Sequence, residues 1–142
     1  MVLTSIKIKG VYFPIDSTTI TKPQDRKNIE EELSEIVKKR IALLRKIRTD
    51  LVTLLDLLQI NKLTTEKLTK IYSVNKPVYV LFEEINGAID TYNAIDRTPA
   101  INNFSPSWTA NELIQCLEKL CLLLKKTEGK VSTTPTEQFT LF

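Results

Sequence analysis

The feature that most constrains this chain is one apolar stripe that keeps its phase from about Asp25 to Ile60. Ile29, Leu33, Ile36, Val37, Ile41, Leu44, Ile47, Leu51, Leu54, Leu55 and Leu58 recur at three- and four-residue steps, the spacing that aligns side chains along one face of an α-helix. At 1.5 Å per residue such a helix would run about 50 Å. A stripe of that length has to be covered, either by the rest of the chain or by neighbours. Glu30, Glu31, Glu32 and Glu35 fill the first turns and bases follow, partly in the sense the helix dipole favours.

The remaining sequence supplies shorter helical patterns. Asn61 and Lys62 close the long helix, and Thr64 is placed to cap a short second one that stops before Pro77. From about Lys76 to Asp96, Val78, Leu81, Phe82, Ile85, Ile89, Tyr92 and Ile95 form a second amphipathic stripe. The passage RTPAINNFSPS, with two prolines, reads as the one substantial internal loop. Two helix starts follow almost on top of each other, Ser105-Pro106 and a Thr109/Glu112 capping box. Leu113, Ile114, Leu117, Leu120, Cys121 and Leu124 then give the buried face of a last helix ending near Lys126, with Gly129 to stop it.

Residues 1–16 read as strand-like. Ile6, Ile8, Val11 and Phe13 alternate with Lys7, Lys9 and Tyr12, Gly10 marks a bulge or change of register, and Pro14 ends the run. A single strand leaves its backbone groups unpaired, so it needs a partner from the tail Val131–Phe142 or from another chain. The expected fold is mainly α: a helical bundle over 25–128 with one long helix, a short N-terminal strand, and an extended tail over 129–142.

At 142 residues, with 42% hydrophobic and 26% charged residues, the chain fits one soluble domain with one core. Its longest apolar stretch, around Leu51 to Ile60, is broken by Thr53, Asp56 and Gln59 and falls short of the roughly 20 residues a spanning helix needs. No secretory pattern opens the chain, and a cytoplasmic protein is expected. Cys116 and Cys121 would point about 140° apart on a helix and are not expected to bridge.

The chain has no histidine, which removes the commonest general base and zinc co-ligand. Glu83, Glu84, Asp90 and Asp96 flank an apolar face without converging, and Gly10, Gly87 and Gly129 are the only glycines, too few for a phosphate-cradling loop. The expectation is a binding protein, not an enzyme, with no cofactor, no metal and no small-molecule substrate.

Net charge is only +3, so the distribution of charge matters more than its sum. In KKRIALLRKIR, Lys38, Lys39, Arg40, Arg45, Lys46 and Arg48 follow one another without an acid. Projected at 100° per residue, Lys38 falls with Arg45 and Lys39 with Lys46, opposite the apolar stripe. Cations spaced along a rigid rod suit a phosphate backbone, which they can contact without reading bases. Against this stands an ordinary solvated face, partly neutralised by Glu35 four residues before Lys39. Arg40 projects into the stripe itself, where it either marks an interface or snorkels at the core edge. Arg97, Asn102, Asn103, Phe104 and Trp108 could stack on and bond to bases, but Phe104 and Trp108 serve equally as a plug for the end of a bundle.

The final residues, Gln138-Phe139-Thr140-Leu141-Phe142, look like the pentapeptide by which bacterial proteins dock on the replication sliding clamp. The glutamine would give orienting hydrogen bonds, and Phe139, Leu141 and Phe142 would enter an apolar pocket. The alternative is that this end simply packs on the IKIKGVYF segment.

In size, helix pattern and charge over residues 25–128, the chain resembles the small subunit of class 1 CRISPR effector (Cascade-like) complexes. The resemblance implies a helical-bundle subunit in antiviral defence that lies beside other protein subunits and holds guide RNA or target DNA through a basic face. It would place Lys38, Lys39, Arg45 and Lys46 on phosphates, with Arg48 beside them and Lys125 and Lys126 as a second, weaker patch. Two other expectations stand alongside it. One is a replication or repair accessory protein recruited through its QFTLF end; the other is a purely structural bundle whose charges serve solubility.

Overall fold

The computed structural model describes residues 3–9, 11–16, 18, 20–95 and 97–129. The chain is mainly α, with one long helix and a small N-terminal sheet. Its elements are β1 (Leu3–Ile8), β2 (Val11–Asp16), α1 (Pro23–Ile60), α2 (Leu68–Ile71), α3 (Lys76–Asn93) and α4 (Ala110–Thr127).

The spine is α1, 38 residues long and thus about 57 Å from end to end. Pro23 enters its first turn, where a missing N–H costs nothing, and the Asp25 carboxylate accepts from the Lys22 and Thr21 amides and the Thr21 hydroxyl. At the far end the Asn61 side chain donates to Leu57 O at 2.8 Å, and Lys62 turns left-handed at φ 58°. Ten side chains from Leu33 to Leu58 are buried, and they carry the stripe read from the sequence.

Both other long helices pack on α1. Thr91 at the end of α3, with Ala94 and Ile95 just after it, lies beside Ile36 and Leu43, while the start of α4 (Ala110, Ile114) lies beside Leu55 and Gln59. Both therefore run antiparallel to α1. Asn75 caps α3 by accepting from the Val78 amide at 3.3 Å. The short α2 begins at Leu68 after Lys67, so Thr64 is not its cap. Its first amides are satisfied from a distance instead: Leu68 N donates to Trp108 O and Thr69 N to Pro106 O, each at 2.9 Å. Of the two possible starts for the last helix, the Thr109/Glu112 capping box is the one used, and Ser105–Ser107 forms a turn ahead of it.

β1 and β2 form a hairpin where a lone strand was expected. They pair antiparallel with Ile6 opposite Phe13 and Ile8 opposite Val11, so Lys9, at φ 49°, falls at the turn. The strand's partner is thus the second half of its own segment. Pro14 lies inside β2, tolerated because in a two-stranded sheet both strands are edges. Ile6, Phe13 and Ile15 are buried, and β1 rests on α1.

The loop from 94 to 109 runs back along α3 and is gripped by two of its asparagines. Asn93 accepts from Ile101 N and donates to Ile101 O, both at 2.8 Å. Asn86, two turns earlier, accepts from Phe104 N at 2.8 Å and donates to Phe104 O at 3.2 Å. Each side chain imitates a strand neighbour, so Ile101 and Phe104 are buried without losing their backbone bonds.

Candidate polyanion-binding face

α1 presents the basic residues opposite its buried stripe, where the end of α3 comes beside Lys39 and the end of α4 beside Arg45. Lys38, Lys39, Arg45 and Lys46 are all exposed, and two turns of helix separate Lys38 from Arg45 by about 10.5 Å. Arg48 is half-buried and lies about 60° round the helix from Arg45, further from Lys38, and on the opposite side from Lys39 and Lys46. Of the second patch, Lys125 is exposed and Lys126 half-buried, both in the last turn of α4.

Three of the four cations have carboxylate partners. Lys38 bonds Glu35 at 3.2 Å, Lys46 bonds Asp50 at 3.1 Å and Arg45 bonds Glu128 of α4 at 2.8 Å. Glu35 thus serves Lys38 rather than Lys39. The Asp50 hydrogen bond also holds Lys46 above the ordinary lysine range. More than half of each cationic side chain remains in contact with solvent. The Lys38–Glu35 pair is exposed on both sides and worth about 0–1 kcal/mol. Asp50 and Glu128 are the more sheltered partners, but their cations stay open to solvent, where phosphates arriving in number can compete for them.

Lys9, at the hairpin turn, stands out in no sequence pattern, yet it joins Lys38 and Arg45 around a cleft of about 300 Å³. Its contribution depends on the hairpin folding over α1, and nothing local announces that. Glu128, on the other side of the cleft, is 83 residues from Arg45 and equally invisible to spacing arguments.

Arg40 neither snorkels nor marks an outer interface. It is 3% exposed, its Nε donates to Thr98 Oγ1 at 2.8 Å and its Nη2 to Arg97 O at 2.5 Å. The guanidinium carbon lies 4.8 Å from the Phe13 ring centroid, so one side chain ties the hairpin, α1 and the loop together. Burial draws its pKa below the ordinary arginine value, opposed by the Tyr92 hydroxyl.

The loop aromatics are mainly core. Phe104 is buried, and its ring centroid lies 5.4 Å from that of the half-buried Trp108. Asn103 bonds the Asp90 carboxylate at 3.0 Å and Asn86 O at 3.3 Å. Phe104 thus belongs to the packing, while Asn103 stays exposed and is tied to α3. Cys116 and Cys121 are free, as their helical spacing implied. Burial pushes the Cys116 thiol up to about 11, away from the range of a reactive thiolate.

Gln138, Phe139, Leu141 and Phe142 lie outside the described residues. Among the described residues no helix is long and apolar enough to cross a membrane. Compared with protein-family models, with curated proteins and with solved structures, the chain has no match in any of the three.

Proposed function

We propose that this protein is a non-catalytic nucleic-acid-binding subunit that holds a phosphate backbone along the outer face of α1. The observation that carries this reading is the set Lys38, Lys39, Arg45 and Lys46, exposed together on a helix whose opposite face is locked into the core. A rigid rod fixes the spacing of its charges, so binding does not have to order them first. Contact with phosphates alone makes the interaction indifferent to base sequence. The reading needs no cofactor and no small-molecule substrate. The two free cysteines favour a reducing, cytoplasmic setting. The narrower form of the proposal is a small subunit of a CRISPR effector complex, with guide RNA or target DNA as the strand held and other protein subunits alongside.

A second reading, a structural bundle whose charges only solvate it, is favoured by the pairing of Lys38, Arg45 and Lys46 with Glu35, Glu128 and Asp50. Salt dependence separates the two. Each duplex phosphate contact adds about −0.9 to the slope of log K against log salt. Replacing Lys38, Lys39, Arg45 and Lys46 by alanine should weaken binding to any duplex and flatten that slope by about three to four. An unchanged slope would leave only the structural bundle. Recruitment to a sliding clamp through Gln138–Phe142 is tested apart from both, by deleting those five residues and measuring clamp retention.

A further inference from the structure

The hairpin turn and the end of α4 meet over the basic face of α1. Gly129 has φ +76°, and a Cβ there would lie 3.0 Å from Lys9 O, so the two backbones are in contact. Beside this contact is the cleft of about 300 Å³, lined by Lys9, Lys38, Ile41, Ala42, Arg45 and Glu128. That volume is at the small end of ligand sites. Three cations, from α1 and the hairpin turn, thus share the cleft with one carboxylate from the end of α4; Arg45 is bonded to it, while Lys38 is bonded to Glu35 outside the cleft.

The two members of the Arg45–Glu128 pair are unequally placed. The Glu128 side chain is 11% exposed and that of Arg45 55%, so the carboxylate is the group drawn inward while the guanidinium reaches over it from solvent. A carboxylate and a phosphate offer the same kind of acceptor oxygens to a guanidinium. We infer that Lys9, Lys38 and Arg45 form a phosphate-binding subsite, and that Glu128 is its internal occupant, displaced when a phosphate enters. This rests on the nucleic-acid reading and deepens it: it names the most enclosed contact on the basic face and the group that restrains it.

Arg45 reaches Glu128 from solvent, with 55% of its side chain exposed, so water and salt screen the pair from that side. A phosphate brings more acceptor oxygens and can engage Lys9 and Lys38 together with Arg45. Removing the Glu128 charge should therefore strengthen anion binding, whereas a carboxylate that served only to position Arg45 would weaken binding on removal.

The test uses the full chain, as wild type and as Glu128→Gln, Lys9→Ala and Arg45→Ala. Each is titrated with inorganic pyrophosphate, followed by the NMR shift of the Arg45 Nε–H in wild type, Glu128→Gln and Lys9→Ala and by calorimetry in all four. Each is also titrated with a labelled single-stranded oligonucleotide, followed by anisotropy. Glu128→Gln is expected to bind both probes about three- to tenfold more tightly, as removing one nearby charge in a partly aqueous setting allows. Its oligonucleotide salt slope should steepen by about 0.7. Lys9→Ala and Arg45→Ala should lose most of the pyrophosphate response. Unchanged or weaker binding of both probes by Glu128→Gln overturns the subsite. Tighter pyrophosphate binding with no oligonucleotide binding by any form keeps the subsite and removes the nucleic-acid reading. Oligonucleotide binding that depends on Lys39 and Lys46 but not on Glu128 does the reverse. Should Glu128→Gln fail to fold, Glu128→Asp, with its carboxylate drawn back by one methylene, makes the same comparison with the same expected sign.

Discussion

Asn93 and Ile101 exchange a complete pair of hydrogen bonds, side-chain amide against backbone, each 2.8 Å long. The same exchange recurs between Asn86 and Phe104. Through them α3 carries the loop that connects it to α4, and the loop's two buried apolar residues are held by side chains acting as backbone. Truncating either asparagine would strand one donor and one acceptor in a poorly hydrated place. Asn93→Ala and Asn86→Ala are each expected to lower unfolding free energy by about 2–3 kcal/mol. Urea denaturation followed by circular dichroism measures this, and a loss below about half a kcal/mol would mean that water replaces the clamp at little cost.

Gly87 and Gly129 should answer an alanine substitution with opposite signs. Gly87 lies inside α3, and a Cβ added there would meet nothing within 4 Å, so Gly87→Ala should stabilise by about 0.5–1 kcal/mol. Gly129 is left-handed and pressed against Lys9 O. Gly129→Ala should cost about 1–2 kcal/mol and loosen the hairpin turn from α4. Paired melting curves of the two variants decide it.

Acid should weaken the helix starts before it reaches the core. The Thr109 hydroxyl, then the Thr109 backbone, hold the Glu112 carboxylate below its ordinary 4.5, and the Thr21 hydroxyl does the same for Asp25 against 3.8. Carboxylates depressed in the folded state contribute stability that is complete above their unfolded values and lost as pH falls through the folded ones. The melting midpoint is therefore expected to hold from pH 7 to about pH 5 and to fall below 4.5. In Glu112→Gln the fall should be shallower, which a pH series of thermal melts would read.

Tyr72 packs its ring against Tyr79 and Phe82, with centroids 5.2 and 5.1 Å away. Its hydroxyl is buried and finds no partner among the described residues. Burial, with Glu83 next in effect, raises its pKa far above that of a free phenol. Since the hydroxyl costs desolvation and returns no bond, Tyr72→Phe should be neutral or stabilise by up to about 1 kcal/mol. A clear loss of stability would reveal a bond to that hydroxyl.

The helices were legible in the sequence because a buried stripe writes itself locally: Leu33, Leu44 and Leu58 are each close to a whole number of turns from one another, and all three are fully buried. The hairpin was only half legible. Across Lys9-Gly10 the apolar phase shifts from Ile6 and Ile8 to Val11 and Phe13, and a bulge or a tight turn produces that same shift. Pro14 pointed toward an ending and instead sits on an edge. The basic face was legible for the same reason as the stripe, since Lys38 and Arg45 share a helix. What joins that face from elsewhere was not. Lys9 and Glu128 come near it only after the chain has folded, as do the loop atoms that receive Arg40.

α1 runs from Pro23 to Glu32 before its first buried residue, Leu33. That stretch is held by its own short-range ties, Arg26 to Glu30 at 3.1 Å and Gln24 to Asn28 at 3.0 Å, with only Ile29 leaning on the interior. Peptides of this length rarely stay coiled alone in water, so the first three turns behave as a cantilever. They borrow their order from the clamped portion behind them, and a neighbour grasping the overhang would gain leverage on the whole molecule at the point of least resistance.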